Sequence, residues 1–261
     1  MKINPNDTRS PAQQVADDLR ARIESGELEP GEKLPVTHKL VERYGVSSET
    51  LRHAINRLKN AGLLETKRGV GTFVRKQTPM KRLGAERYSR SKRAEGKVAF
   101  AADREESGLA WSRNDQTQTV RTAEATGEIA EALQISEGDL VVERARVVVH
   151  EGEPTQRLVS WYRLADVEGT SIADPTPGPA GKGGGYSVLD DLGIGPDEIE
   201  EQITARMPTS DEEVVLRVPA GEPVFDLKRT AFASDGRPVE YARGTYRGSY
   251  FAWSYRFKVP D

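Results

Sequence analysis

Residues 37–74 read THKLVERYG (37–45), VSSETLRHAINRLKNAG (46–62) and LLETKRGVGTFV (63–74), and this stretch decides the fold of the N-terminal third. Leu40, Val41 and Tyr44 share one side of a short helix that Thr37 can cap and Gly45 ends. A second helix follows, capped by Ser47 or Ser48, with Leu51, Ala54, Ile55 and Leu58 on its inner face and Gly62 beyond its end. Two short strands come next, Leu63–Thr66 and Thr72–Val74, around the turn from Lys67 to Gly71. Upstream, Ser10 and Pro11 open a helix over residues 11–25 with Val15, Leu19 and Ile23 in one stripe, stopped by Gly26. Helix, short helix, tight turn, helix and two-stranded ribbon is the order of a winged helix-turn-helix, expected over residues 8–76.

Charge separates this third from the rest. Residues 1–97 hold 21 Lys/Arg against 12 Asp/Glu, whereas residues 98–261 hold 17 against 29. A basic module joined to an acidic one points to a polyanion reader attached to a domain that avoids polyanions. Residues 77–97 carry many cations among few apolar anchors and read as a basic linker. Beyond it, Val120–Ala123 reads as a strand and Glu128–Leu133 as a helix. Leu140–His150 and Thr155–Arg163 read as a hairpin turned by Glu151-Gly152-Glu153-Pro154. Helical signals at 186–192 and 209–216, with strands near 199–207, 223–232, 238–246 and 250–259, complete an α+β domain on an antiparallel sheet over 98–261.

Other function classes fail on residues. No apolar run is long enough to span a membrane, and Met1-Lys2-Ile3-Asn4 does not open a secretory signal, so the cytoplasm is the expected address. The absence of cysteine excludes disulfides, thiolate metal sites and cysteine nucleophiles. His38, His53 and His150 lack metal-ligand spacing, and no cofactor is expected. The run from Gly178 to Gly185 is not a Walker loop, because Thr176 and Gly183 stand where Gly and Ser/Thr are required. No Gly-x-Ser-x-Gly elbow occurs, and no enzyme is expected.

The N-terminal third resembles the DNA-binding domain of the GntR family of bacterial transcription regulators. The resemblance rests on Leu34-Pro35, on Tyr44-Gly45-Val46-Ser47 with Thr50-Leu51-Arg52, on Gly62-Leu63-Leu64, and on the wing Arg68-Gly69-Val70-Gly71-Thr72-Phe73-Val74. A helix starting at Ser47/Ser48 would present Ser48, Glu49, Arg52, His53 and Asn56 to the major groove. Arg52 suits a bidentate guanine contact, and Ser47 and Thr50 suit phosphate or base. Lys39 and Lys67 would meet phosphates. Gly69 and Gly71 let the ribbon tip approach DNA, with Arg68 entering the minor groove. His38 and Ser48 stand where the family often has Arg, and Glu49 puts an acid where a neutral residue is usual. That acid would accept from cytosine N4 or repel a phosphate, so the operator should differ from the family's common one.

Residues 98–258 resemble the UTRA effector domain of HutC-type GntR regulators, whose fold is related to chorismate lyase. The resemblance is carried by Gly138-Asp-Leu-Val-Val-Glu-Arg144-Ala-Arg146, Gly152-Glu-Pro154 and Gly221-Glu-Pro-Val…Arg229. Asp235-Gly-Arg-Pro-Val-Glu240…Tyr246-Arg-Gly248 adds the last part. It implies a sensor for a small polar or anionic effector. Arg144 and Arg146, Ser160 and Tyr162, and Glu240 and Tyr246 each keep one strand parity and so share a face. The arginines would hold a phosphate or carboxylate, and Glu240 would accept from hydroxyls or an amine. The competing reading pairs those arginines with local acids on an exposed face. Leu158 stands where amino-sugar-phosphate sensors carry an acid, and the Pro175–Gly185 insertion reads as a lid or a loose loop. The function expected is a homodimeric, ligand-responsive repressor on a two-fold symmetric double-stranded DNA operator. A constitutive regulator whose second domain only dimerises is the alternative; an enzyme on the lyase-like domain is a remote one.

Overall fold

The computed structural model describes residues 3–67, 69–75, 80–176, 180, 183–219 and 221–256, the side chains of Lys67 and Arg113 excepted. The chain divides into two units, residues 1–78 with 218–222, and residues 79–217 with 223–261.

The first unit holds α1 (Pro11–Glu24), α2 (Thr37–Tyr44), α3 (Ser48–Asn60) and the antiparallel ribbon β1 (Leu64–Lys67) with β2 (Gly71–Val74). Ser10 caps α1, accepting from the Gln13 N–H, and Ser47 caps α3, accepting from the Thr50 N–H at 3.0 Å. Thr37 is the first helical residue rather than the cap; Val36, held extended, flanks α2 without a capping side chain. Gly45 ends α2 in the left-handed region at φ 64°, which costs a glycine no Cβ clash and turns the chain into α3 within three residues. Val15, Leu19, Leu40, Tyr44, Leu51, Ala54 and Leu58 close one core, and Val74 brings in the ribbon. The Tyr44 hydroxyl donates to Asp18 at 2.6 Å, so the ring is buried without losing its polar bond.

The second unit opens with β3 (Met80–Leu83), a 3-10 turn over Ala85–Tyr88, α4 (Arg90–Ala94) and α5 (Ala99–Glu106). The stretch read as a linker over 77–97 is therefore folded into this unit across 80–94. Residues 76–79 lie outside the described part. Next come β4 (Gln116–Glu124), α6 (Gly127–Leu133), β5 (Leu140–His150), β6 (Glu153–Arg163), the short α7 (Leu164–Val167), α8 (Gly185–Asp191) and β7 (Glu198–Arg206). The chain ends with α9 (Ser210–Leu216), β8 (Val224–Phe232), β9 (Pro238–Arg247) and β10 (Phe251–Ser254). Six strands form one antiparallel sheet in the order β4-β5-β6-β9-β8-β7. The fold is the expected α+β, a helical head with a wing and an antiparallel-sheet domain.

The final aromatic strand is shorter than expected and leaves the main sheet. It pairs parallel with β3, Phe251 opposite Met80 and Ser254 opposite Leu83. Its residues Phe251 and Trp253 pack edge-on or tilted against Tyr246 and Phe225 in a core with Leu227. Among the described residues no helix is long and apolar enough to cross a membrane.

Candidate nucleic-acid interface and ligand cavity

In the first unit, Ser48, Arg52, Asn56 and Lys59 of α3 border a concave surface with Thr37 of α2 and Val70–Thr72 of the wing. His38, Lys39, Ser47, Ser48, Glu49, Arg52 and His53 are exposed and Thr50 half-buried. The Ser47 hydroxyl is committed to the cap and to the Thr50 hydroxyl at 2.9 Å. Glu49 sits between two recognition-helix cations. Arg52 Nε donates to its carboxylate at 3.0 Å, a second guanidinium nitrogen also donates, and His53 Nε2 lies 3.0 Å away. The Arg52 bond holds the Glu49 carboxyl below the ordinary carboxylate pKa. The acid that departs from the family pattern thus braces Arg52 as well as facing outward. At the wing tip Gly69 has φ 75° with open space around it, whereas a Cβ on Gly71 would meet Lys33 Cε at 2.6 Å. The Lys67 backbone pairs with Gly71, and Arg68 lies outside the described residues.

In the second unit a cavity lies against one face of the sheet, with about 770 Å³ of non-protein space including its mouth. Register explains its lining. Gln156 faces Tyr246 and Leu158 faces Gly244 across β6 and β9, while Arg229 faces Ala242 across β8 and β9. These residues therefore share a face with Glu240 and Tyr162. Arg146, Tyr162, Glu240 and Tyr246, all expected from sequence, line the cavity. Ser160, fully buried, accepts from Arg146 at 2.7 Å.

Arg144 does not line it. Its guanidinium donates to the carbonyls of Ile172 (3.1 Å) and Asp174 (3.2 Å) and to Gln118, which ties the chain after α7 to the sheet. Burial, with Arg146 close by, pulls its pKa down to about 10.

Glu240 is also engaged within the fold. Arg229 grips it from Nε and Nη2 at 2.9–3.2 Å, and the hydroxyls of Tyr162 (2.9 Å) and Tyr186 (2.7 Å) donate to it. Burial alone would raise its pKa; the charges of Arg229 and Arg146 and the hydroxyl bonds outweigh burial and keep it ionised.

Sequence reasoning missed Arg87, Tyr88, Arg93, Tyr186 and Arg229, which line the same cavity. Three of them come from the basic stretch 77–97. The signal available was the Arg87-Tyr88 pair, an aromatic among cations that a solvated linker does not need. Arg93 bonds Asp190 at 3.0 Å and the Tyr88 carbonyl at 2.8 Å, and the Tyr88 hydroxyl joins Arg229 to Glu201. Of the Pro175–Gly185 insertion, Ala180 and Gly183–Gly185 line the cavity; residues 177–179 and 181–182, on which the reading as a lid falls, lie outside the described part. Among the described residues no cluster of His, Cys, Asp and Glu is suited to a metal ion.

A winged helix-turn-helix whose third helix exposes one face, followed by a sheet domain with a cavity of mixed polar and apolar lining, is the architecture of a DNA-binding regulator with a second domain. The bacterial regulatory proteins, gntR family, match over residues 11–74 and the UTRA domain over residues 112–252. The chain is 47% identical to the HTH-type transcriptional regulator SCO4628 of Streptomyces coelicolor, covering 95% of this chain and 93% of that protein. It is 26% identical to the HTH-type transcriptional repressor NagR of Bacillus subtilis, with 97% of each chain covered. A solved structure assigned as a GntR-family transcriptional regulator superposes with a TM-score of 0.62 at 30% identity, covering 97% of this chain and 99% of that one. The chain belongs to the GntR family of transcription regulators, in the HutC group that carries a UTRA domain, and this is not an enzyme family.

Proposed function

We propose that the protein represses transcription as a homodimer on a two-fold symmetric operator and that a small polar or anionic effector in the sheet cavity modulates that binding. The observation that carries this reading is the pairing, in one chain, of an exposed α3 face bearing Arg52 with a sheet cavity lined by Arg146, Arg87 and Arg229. Arg52 and Ser48, with His38, Glu49, His53 and Thr50 around them, read base edges; Lys39, Lys67 and the Ser47 turn meet the backbone, and Gly69 and Gly71 let the wing approach so that Arg68 enters the minor groove. Relatives named as repressors, NagR and the E. coli mannosyl-D-glycerate system repressor MngR, support the sign of regulation. Effector binding would shift the balance between two arrangements of the dimer by an affinity difference of about 1–3 kcal/mol.

Selection of binding sites from a random duplex library with the full-length protein tests the reading. A motif of two inverted half-sites is expected, because a dimer with two-fold symmetry reads the same sequence twice. No enrichment, or a single unpaired half-site, would overturn it.

A further inference from the structure

The charges around the cavity do not cancel. Arg87 has Asp103 at 2.9 Å, Arg93 has Asp190 at 3.0 Å and Arg229 has Glu240 at 2.9 Å. The Tyr88 hydroxyl leans on Glu201, whose charge Arg82 balances. Arg146 is different. Its described bond is to the neutral Ser160 hydroxyl, and no carboxylate among the described residues comes within ion-pair distance. Arg144, behind the wall, is engaged by carbonyl oxygens with Asp174 nearby. Among the described residues the lining is left with one surplus positive charge at Arg146. A second group points the same way: Arg87 is 5% exposed, and its Nε and Nη1 have no hydrogen-bond partner. A buried guanidinium with two idle donors is costly unless something accepts from them.

The rest of the lining decides what the anion is attached to. Among the described residues Glu240 is the one carboxylate on the cavity wall, and Arg229, Tyr162 and Tyr186 already supply its protons. A polyol would find no free carboxylate to accept from its hydroxyls. Val98, Phe100, Val148 and Leu158 instead offer apolar surface, the first three from a single cluster.

We infer that the effector is a monoanion with an apolar body, a carboxylic acid on an alkyl or aryl group, whose carboxylate is held by Arg146 and Arg87 while its body lies against Phe100, Val148 and Leu158. This rests on the cavity being the effector site. A phosphate monoester carries about −1.5 to −2 at neutral pH, more than one surplus guanidinium balances, and a polyhydroxylated chain would leave the apolar patch of Val98, Phe100, Val148 and Leu158 without a partner.

Calorimetric titration of the full-length protein with phenylacetate, hexanoate, the neutral phenylacetamide and glucose 6-phosphate tests it. Phenylacetate or hexanoate is expected to bind at least about tenfold more tightly than phenylacetamide, with the binding lost in Arg146→Gln and weakened in Arg87→Gln. Equal binding of the acid and the amide overturns the proposal using the wild-type protein alone, so a variant that fails to fold does not rescue it. Binding of the acids that survives Arg146→Gln also overturns it. Glucose 6-phosphate binding where neither acid binds overturns the ligand class and leaves the effector cavity standing. Silence from all four compounds overturns both.

Discussion

Glu201→Gln is the sharpest test of how the basic stretch is held. Arg82, with no exposed surface, bonds the Glu201 carboxylate from Nη1 at 3.0 Å and Nη2 at 2.5 Å, and the Tyr88 hydroxyl donates at 2.5 Å. Burial opposes ionisation, but Arg82, Arg229 and Tyr88 overcome it and hold the Glu201 pKa at about 2, against 4.5 for a free carboxyl. Folding therefore favours the carboxylate. Its contribution is fully present above the unfolded pKa of 4.5 and is lost as pH falls toward 2. At 1.36 kcal/mol per pH unit, that difference is worth about 3 kcal/mol at pH 7 and about 1 kcal/mol at pH 3. The neutral-pH figure lies at the low end of the roughly 3–5 kcal/mol lost when one partner of a buried ion pair is removed. Urea unfolding followed by tryptophan fluorescence measures it cleanly: Trp111, Trp161 and Trp253 all belong to the second unit, and Arg82 stacks over the Trp253 ring at 4.8 Å. The gap between wild type and Glu201→Gln should be about 3 kcal/mol at pH 7 and narrow on acidification. A gap below about 1 kcal/mol at pH 7, or one that does not change with pH, would refute the reasoning.

Arg52→Ala should cost about 1–3 kcal/mol on the selected operator and relax the preference at one base pair, read by competition binding against single-base variants. Lys39→Ala, in contrast, should weaken binding to all duplexes alike and flatten the salt dependence; equal behaviour of the two variants would remove Arg52 from the reading set. Arg144→Gln should destabilise the second unit by about 1–3 kcal/mol, because the Ile172 and Asp174 carbonyls lose their charged donor. Its thermal unfolding should shift down while phenylacetate affinity changes far less than in Arg146→Gln; equal losses of affinity would put Arg144 in the ligand site.

The helical head was legible because its determinants are local. Ser47 three residues before Thr50, Gly45 at the end of α2 and the spacing of Leu51, Ala54 and Leu58 each act within a turn or two of chain. The long strands were legible for a similar reason, since β-branched residues and a Glu151-Gly152 turn mark β5 and β6 in their own sequence. The cavity was half legible. Strand parity pairs Arg144 with Arg146, Ser160 with Tyr162 and Glu240 with Tyr246 on each strand, and only the cross-strand register brings Arg146, Tyr162, Glu240 and Tyr246 to one cavity. Parity does not say which way a long side chain turns once there. Arg144 and Arg146 share a face, but Arg144 is drawn to carbonyls beyond β5 while Arg146 stays at the cavity.

The basic stretch 77–97 shows where local reading fails for a physical reason. A run of cations with few apolar neighbours is ordinarily solvated, because burying a charge without a partner is prohibitive. Arg82, Arg87 and Arg93 are buried nonetheless, because Glu201, Asp103 and Asp190 meet them from 119, 16 and 97 residues along the chain. Arginine suits this use: its planar guanidinium can satisfy a carboxylate from two nitrogens, as Arg82 does with Glu201, and stack on a ring, as it does over Trp253. A lysine in the same place would supply neither fork nor plane. A charge count does not capture the stretch: what matters is that its buried cations are arginines and that one aromatic, Tyr88, stands among them. The consequence is functional: the segment that follows the head supplies Arg87, Tyr88 and Arg93 to the cavity wall.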